Sequence, residues 1–402
     1  MPAAPVSRLL LLALGAMFLQ QTFAALGRNL PSVIAPAILD DLVLDPALVG
    51  IYVGIASAAS LFFQLSCGGF IIRWGAMRMS QLALVMLAIG LFAASTGNLW
   101  LLAFSAIIGG GGAAVSTPAS SHLLGRYAPP RQAPLVFSIK QTAVPAGLLV
   151  AGLLGPLLNA WVGWRAALDI AAIACLLFAF ALQPLRAGFD SDRVPSRSFR
   201  ISDLWSSAIL VTTDRELRNL AFACFAFNGL QSVLLAYFII YLVSLGHSLA
   251  TAGIVFSIAM MVAVPARILW GWLGSYHVAP RIVMGGLALG MAGSSAMLGV
   301  SGPGWPLVML GAGGVFMALS ALSWHGVLLA ETARLAPEGQ RGTATGGVLS
   351  FGQIGALALP LSYALMLSLT GVHAFGFLVC GVPALVVGIA LLRGGRRPGE
   401  VS

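Results

Sequence analysis

Uninterrupted apolar stretches of about 20 residues recur about a dozen times along this chain, and no other feature limits its fold so tightly. A helix of that length crosses roughly 30 Å of hydrocarbon, and in lipid every backbone N–H and C=O must find its partner within the protein. Helices and closed barrels alone meet that demand, and the alternation of barrel strands is absent here. Composition agrees, with 59% hydrophobic and 8% charged residues, against about 25% charged in soluble domains. The reading is an all-α polytopic membrane protein with twelve transmembrane helices. They are expected near 8–37, 46–71, 79–97, 99–124, 134–158, 164–184, 218–244, 250–275, 282–301, 304–331, 343–368 and 372–392. The first runs past Arg28 with no small-residue cleavage site, which marks a retained helix rather than a signal peptide.

The net charge of +9 raises the question of a nucleic-acid partner, and the placement of the charge answers it. With twelve spans, Arg8, Arg73, Arg78, Arg126, Arg131, the run from Arg186 to Arg218, Arg281, Arg334, Arg341 and the run from Arg393 to Arg397 all fall on one side. Arg165 marks the other side, together with Asp40, Asp41 and Asp45. By the positive-inside rule both termini and the long central loop are cytoplasmic, in the manner of a bacterial inner-membrane protein. Basic charge of this kind orients a chain and touches anionic lipid, so the bilayer is the expected partner and nucleic acid is not.

The polar segment from Arg186 to Arg218 divides the chain. Residues 1–185 form a first six-helix bundle, 186–217 a cytoplasmic loop, 218–393 a second bundle and 394–402 a cytoplasmic tail. A repeat supports two pseudo-symmetric halves: Gly68 and Gly271 differ by 203 positions, as do Arg78 and Arg281. Gly109 precedes Gly311 by 202, and SIKQ (138–141) matches SFGQ (350–353) at an offset of 212. Parallel repeats of this kind hold substrate at their interface, near the bilayer midplane.

The stretch GGFIIRWGAMR (68–78), its counterpart RILWGWLGSYHVAPR (267–281) and GWR at 163–165 carry a resemblance to the major facilitator superfamily over essentially the whole chain. The resemblance implies a cytoplasmic gate built from Gly68, Arg73, Gly75, Arg78, Arg267, Gly271 and Arg281. The family's aspartate position is Ile72 here, and Ser275 in the second half, so the gate is expected to rely on glycine packing and arginines. GRNLPSVIAP (27–36) places an arginine eight residues before a proline, a spacing similar to the cyanate and nitroimidazole transporter branch.

An ionisable group at the bilayer centre costs at least ~2.5 kcal/mol, so a retained one faces a cavity or a partner. Arg28 shares its helix face with Gln21 and Ser32, a small and polar stripe. Its repeat equivalent is Gln231, flanked by Asn228 and Ser232. Lys140, the only lysine, and Gln141 stand early in the fifth helix, Gln353 is the equivalent of Gln141, and Trp324 and His325 lie in the tenth. Substrate-binding candidates are therefore Arg28, Gln21, Ser32, Lys140, Gln141, Asn228, Gln231, Trp324, His325 and Gln353. Alternatives stand beside them: Arg28 snorkelling to the outer headgroups, Lys140 at the cytoplasmic mouth, His325 as a packed histidine or a proton carrier. GGGG (109–112) follows no strand, so close helix packing explains it better than a phosphate cradle.

No Asp or Glu falls in the middle of an expected helix; Asp169 is placed to pair with Arg165 one turn away. Cations without carboxylates suit an anion. The expectation is a secondary transporter of a small organic or inorganic anion, monomeric, with a co-transported proton as one route to uptake. An exporter of neutral or hydrophobic compounds, its interior lined by Met260, Met261, Met317 and Trp324, is the alternative, and a non-transporting sensor a distant one. The four cysteines and five histidines show no metal-ligand spacing, and no nucleophile motif is present, so neither metal, cofactor nor enzyme activity is expected.

Overall fold

A computed structural model describes residues 8–128, 133–196, 209–337 and 341–393; the middle of the expected central loop and the tail 394–402 lie outside the described residues. Among the described residues ten helices are long and apolar enough to cross a membrane. One of them, Ile139–Ala181, is two passes joined at Gly163, whose φ of +80° breaks the helix. Leu48–Trp74, 27 residues long, adds a further pass, which brings the total among the described residues to twelve.

The first pass is Arg8–Val33 continued by Ala35–Leu42, the second Leu48–Trp74, the third Ala76–Ser95 and the fourth Leu99–Tyr127. The fifth begins as Ala133–Gln141 and continues within Ala143–Ala181, which also holds the sixth beyond Gly163. The second half comprises Arg215–Ser244, Leu249–Tyr276, Pro280–Val300, Leu307–Ala321 continued by His325–Leu335, Arg341–Thr370 and His373–Arg393. A short helix, Gln183–Phe189, follows the sixth pass. Local chemistry sets the ends. Asn98 Oδ1 accepts from the Trp100 and Leu101 amides at the start of the fourth pass. Asp214 Oδ1 accepts from Glu216 and Leu217 at 2.8 and 2.9 Å, which starts the seventh.

Third packs on fourth, second on fourth and first on fifth; in the other half seventh packs on eleventh and ninth on twelfth. Glycines permit this closeness: Gly110 lies against the Ala56 carbonyl and Gly112 against that of Ala83, with no room for a side chain. Between the halves, second packs on eleventh and fifth on eighth. Under the repeat these two contacts are equivalents of each other.

Candidate functional site

Among the described residues, five side-chain hydrogen bonds cross between the halves, at several depths. Along the second pass, running from the acidic to the basic face, Ala47 O accepts from Tyr237 Oη at 3.4 Å. Further on, Ser57 Oγ donates to Ala356 O at 3.2 Å, and Gln64 Oε1 accepts from Gln353 Nε2 at 3.0 Å. Along the fifth and eighth passes, Ser257 Oγ donates to Leu149 O at 3.1 Å and Arg267 Nη1 to Gln141 O at 2.6 Å. Two of these acceptors exist because of proline. A helical C=O ordinarily binds the N–H four residues on, which Pro145 denies to Gln141 and Pro360 denies to Ala356. Each freed carbonyl is taken by a side chain of the opposite half.

Between these ties lies a cavity of about 220 Å³. Arg28, Gln21 and Ser32 line it from the first pass, Asn228 and Gln231 from the seventh, Gln141 from the fifth, Gln353 from the eleventh and Trp324 and His325 from the tenth. Nine of the ten candidate side chains thus share one space. The tenth, Lys140, stands behind the wall: it is fully buried, and its Nζ donates to Gln21 Oε1 at 3.1 Å. Burial at that depth corrects the alternative of a lysine reaching the cytoplasmic mouth.

Arg28 is half-buried and has no hydrogen-bond or ion-pair partner among the described residues. Beside it, the Tyr52 hydroxyl shares a hydrogen bond with Ser105 Oγ at 3.3 Å. Gln231 accepts from Trp324 Nε1 at 3.1 Å, and Asn228 Nδ2 donates to Gly352 O at 2.9 Å. The His325 ring stacks on Trp324 with centroids 3.6 Å apart. Its Nδ1 faces Arg267 Nη2 at 3.2 Å. A guanidinium has only donors, so Nδ1 is the acceptor and carries no proton in this arrangement. Among the described residues that line the cavity there is no Asp and no Glu.

The expected gate residues divide. Arg267 lines the cavity, while Arg281 Nε donates to Leu391 O at 2.7 Å on the twelfth pass. Gly271 has open space where a Cβ would stand. Gly68 and Arg73 lie in the last turns of the second pass. Gly75, at φ +96°, turns the chain into the third pass with no room for a side chain, because Asp190 lies against it. Asp190 accepts from the amides of Met77 at 2.8 Å and Arg78 at 3.0 Å, and Val194 N donates to Ile72 O at 2.8 Å. The gate region was expected to lack a carboxylate; Asp190 supplies one from far along the chain. Burial raises its carboxyl above the ordinary value, with the two amides and Arg186 pulling the other way. Asp192, two residues on, pairs with Arg126 at 2.6 Å and His122 at 2.9 Å.

On the acidic face Arg165 pairs with Asp41 at 2.8 Å rather than with Asp169, whose Oδ1 is buried without a partner among the described residues. Arg165 reaches Asp41 because Trp164, stacked under its guanidinium, donates to the same carboxylate. Sequence reasoning missed Tyr52 and Gln64 as lining residues; Gln64, an amide within an apolar helix, was the available signal. Among the described residues no three His, Cys, Asp or Glu side chains converge as a metal site.

The sequence profile of the Major Facilitator Superfamily matches residues 17–331. No curated protein matches the chain. Solved structures share the fold. A point mutant of the nucleoside transporter NupG superposes with a TM-score of 0.76 at 14% identity, covering 95% of this chain and 99% of that one. A POT family transporter in complex with a thioalcohol-conjugated peptide gives 0.74 at 15% identity, covering 94% and 95%. A bacterial homolog of the human lysosomal transporter Spinster, inward-facing and unoccupied, gives 0.69 at 17% identity, covering 97% and 96%. These likenesses lend no support to the narrower resemblance to the cyanate and nitroimidazole branch.

Proposed function

Because the chain belongs to the Major Facilitator Superfamily and is therefore a secondary transporter of the membrane, not an enzyme, we propose that its substrate is a small organic or inorganic anion. Support comes above all from Arg28, a guanidinium lining the central cavity with no partner among the described residues. An unpaired cation in a low-dielectric site attracts charge of opposite sign, and among the described residues no carboxylate lines the cavity to compete for it. Gln21, Asn228, Gln231 and Gln353 orient the substrate, Arg267 adds a second charge, and the halves rock about the site. The basic face is cytoplasmic in this reading, in a bacterial inner membrane, and the protein acts as a monomer. Moving one negative charge inward costs ~2.3 kcal/mol per 100 mV of inside-negative potential, so uptake calls for a proton or an exchanged anion.

The rival, export of neutral or hydrophobic compounds, is favoured by a second cavity of about 260 Å³. Apolar side chains of the first, second and fourth passes form it, and it shares Ser32 and Tyr52 with the central one. Against the rival, Met260, Met261 and Met317 do not line the central cavity, and Met261 points outward.

Thermal-shift screening of purified protein against metabolite anions and hydrophobic drugs separates the two, because a ligand of the folded state raises its midpoint. Anions that stabilise the wild type, lose that effect in Arg28→Gln and exchange across proteoliposomes establish the reading. Stabilisation by hydrophobic compounds alone sinks it.

A further inference from the structure

Lys140 is a fully buried cation that the cavity does not expose. Its Nζ meets a neutral amide oxygen, Gln21 Oε1, which also accepts from Thr117 Oγ1 at 3.2 Å. An ammonium so placed is stripped of water and has no counter-charge among the described residues, whereas a neutral amine makes the same hydrogen bond without that penalty.

The charged and titratable groups on the elements around it offer no carboxylate at its level. On the first pass these are Arg8 and Arg28, with Asp40 and Asp41 at its far, acidic end. The fourth carries His122, Arg126 and Tyr127, the first two held by Asp192 at the basic face. Arg165 and Asp169 belong to the start of the sixth, on the opposite face. From the eighth, Arg267 reaches the carbonyl of Gln141, the next residue, and so adds positive charge close by. His325 beyond it accepts from Arg267 through Nδ1, so a proton there would break that bond and set two cations face to face, while Glu331, farther along the same helix toward the basic face, is paired with Arg334.

Gln21 itself belongs to the cavity wall, with its oxygen turned to Lys140 and Thr117. An anion seated in the cavity is thus one side chain away from the Lys140 amine. We propose that Lys140 is the proton-binding site of the transport cycle, neutral when the cavity is empty and protonated when an anion occupies it. The proton comes from water, adds to the amine lone pair as the anion binds, and leaves as the anion departs, so one monoanion and one proton cross together without net charge. This inference rests on the anion reading above and deepens it by naming the coupling ion and its carrier.

The test uses full-length protein in weakly buffered detergent at about pH 8, where an unperturbed lysine is already charged. Trp324 in the cavity wall reports anion binding by its fluorescence. The expected result is uptake of about one proton per anion bound by the wild type, with affinity weakening up to ~10-fold per pH unit as pH rises. Lys140→Arg, which cannot release its proton, binds anion with no proton uptake. Lys140→Gln, a second variant should the first misfold, shows an affinity independent of pH. Anion binding by the wild type without proton uptake overturns the inference and leaves the anion reading standing. Proton uptake that persists in Lys140→Arg and vanishes in His325→Gln overturns it in favour of the histidine. Absence of any anion binding by the wild type removes both.

Discussion

Arg267 and Gln141 join the two halves through a bond that only a proline makes available. The Arg267 guanidinium sits 2.6 Å from the Gln141 carbonyl, and residue 145, whose N–H would have taken that carbonyl, is Pro145. The same guanidinium lines the central cavity. An anion that draws Arg267 toward itself therefore weakens a tie on the basic side of the cavity, and binding and opening share one side chain.

Pro145→Ala returns an N–H to the helix and gives Gln141 O a local partner. One competing hydrogen bond is worth about 0.5–1.5 kcal/mol, so the basic-side closure should loosen by roughly 2- to 10-fold in its equilibrium. The measurement is the labelling rate, by an impermeant thiol reagent, of a cysteine placed at Leu349, which lines the cavity and takes part in neither tie. The assay runs in a Cys224→Ala background, because Cys224 lines the central cavity, and the other three native cysteines are buried. An unchanged rate in Pro145→Ala means that the tie does not hold the closure.

Much of this arrangement was legible in the sequence, and the reasons differ from residue to residue. The twelve passes followed from apolar length alone, and the offset of 203 positions paired Arg28 with Gln231, both of which line the cavity. Polar side chains in apolar helices have few places to go, which is why nine candidates converged. What was hidden depended on partners distant in sequence. Asp190 lies 112 residues from the Arg78 amide it caps, and nothing local announces that pairing. Arg165 had Asp169 one turn away and still chose Asp41, because Trp164 orients the longer reach. Lys140 looked able to reach a surface, since stem length was countable and the burial around it was not.

Gly152 and Gly253 bring the fifth and eighth passes into backbone contact, with the Gly152 carbonyl and Pro156 occupying the space a Gly253 side chain would need. Gly253→Val inserts a branched side chain there. Overpacking costs about 1–3 kcal/mol, here charged to the state in which these passes meet. Transport should fall steeply while Arg28-dependent anion binding persists in a more open protein. Retained transport rates would show that the close approach is dispensable.

Gln64 and Gln353 form the other tie on the basic side of the cavity, amide to amide at 3.0 Å. Replacing either with Leu removes the bond and strands its partner; replacing both removes it cleanly. A double-mutant cycle on the thermal midpoint should give a coupling of about 0.5–1.5 kcal/mol. Anion binding should loosen in step with it. A cycle that closes at zero would mean that water serves the amides as well as they serve each other.

Asp190 makes the most distinctive prediction about stability, because it holds the turn at Gly75 and the start of the third pass at once. Asp190→Ala leaves the Met77 and Arg78 amides without their acceptor, and losing a helix-start cap costs about 0.5–2 kcal/mol. Its pH dependence has a definite sign. Burial raises the folded-state pKa, so the folded protein binds this proton more tightly than the unfolded chain, where the value is about 3.9. The contribution of Asp190 to stability therefore grows as pH falls through the raised value and levels off below the unfolded one. The deficit of Asp190→Ala relative to wild type should widen on acidification across that window and be smallest at neutral pH. Thermal midpoints of both proteins in detergent from about pH 4 to pH 7 decide it. A deficit that shrinks on acidification would mean that the two amides and Arg186 outweigh burial, and that the carboxylate is held charged.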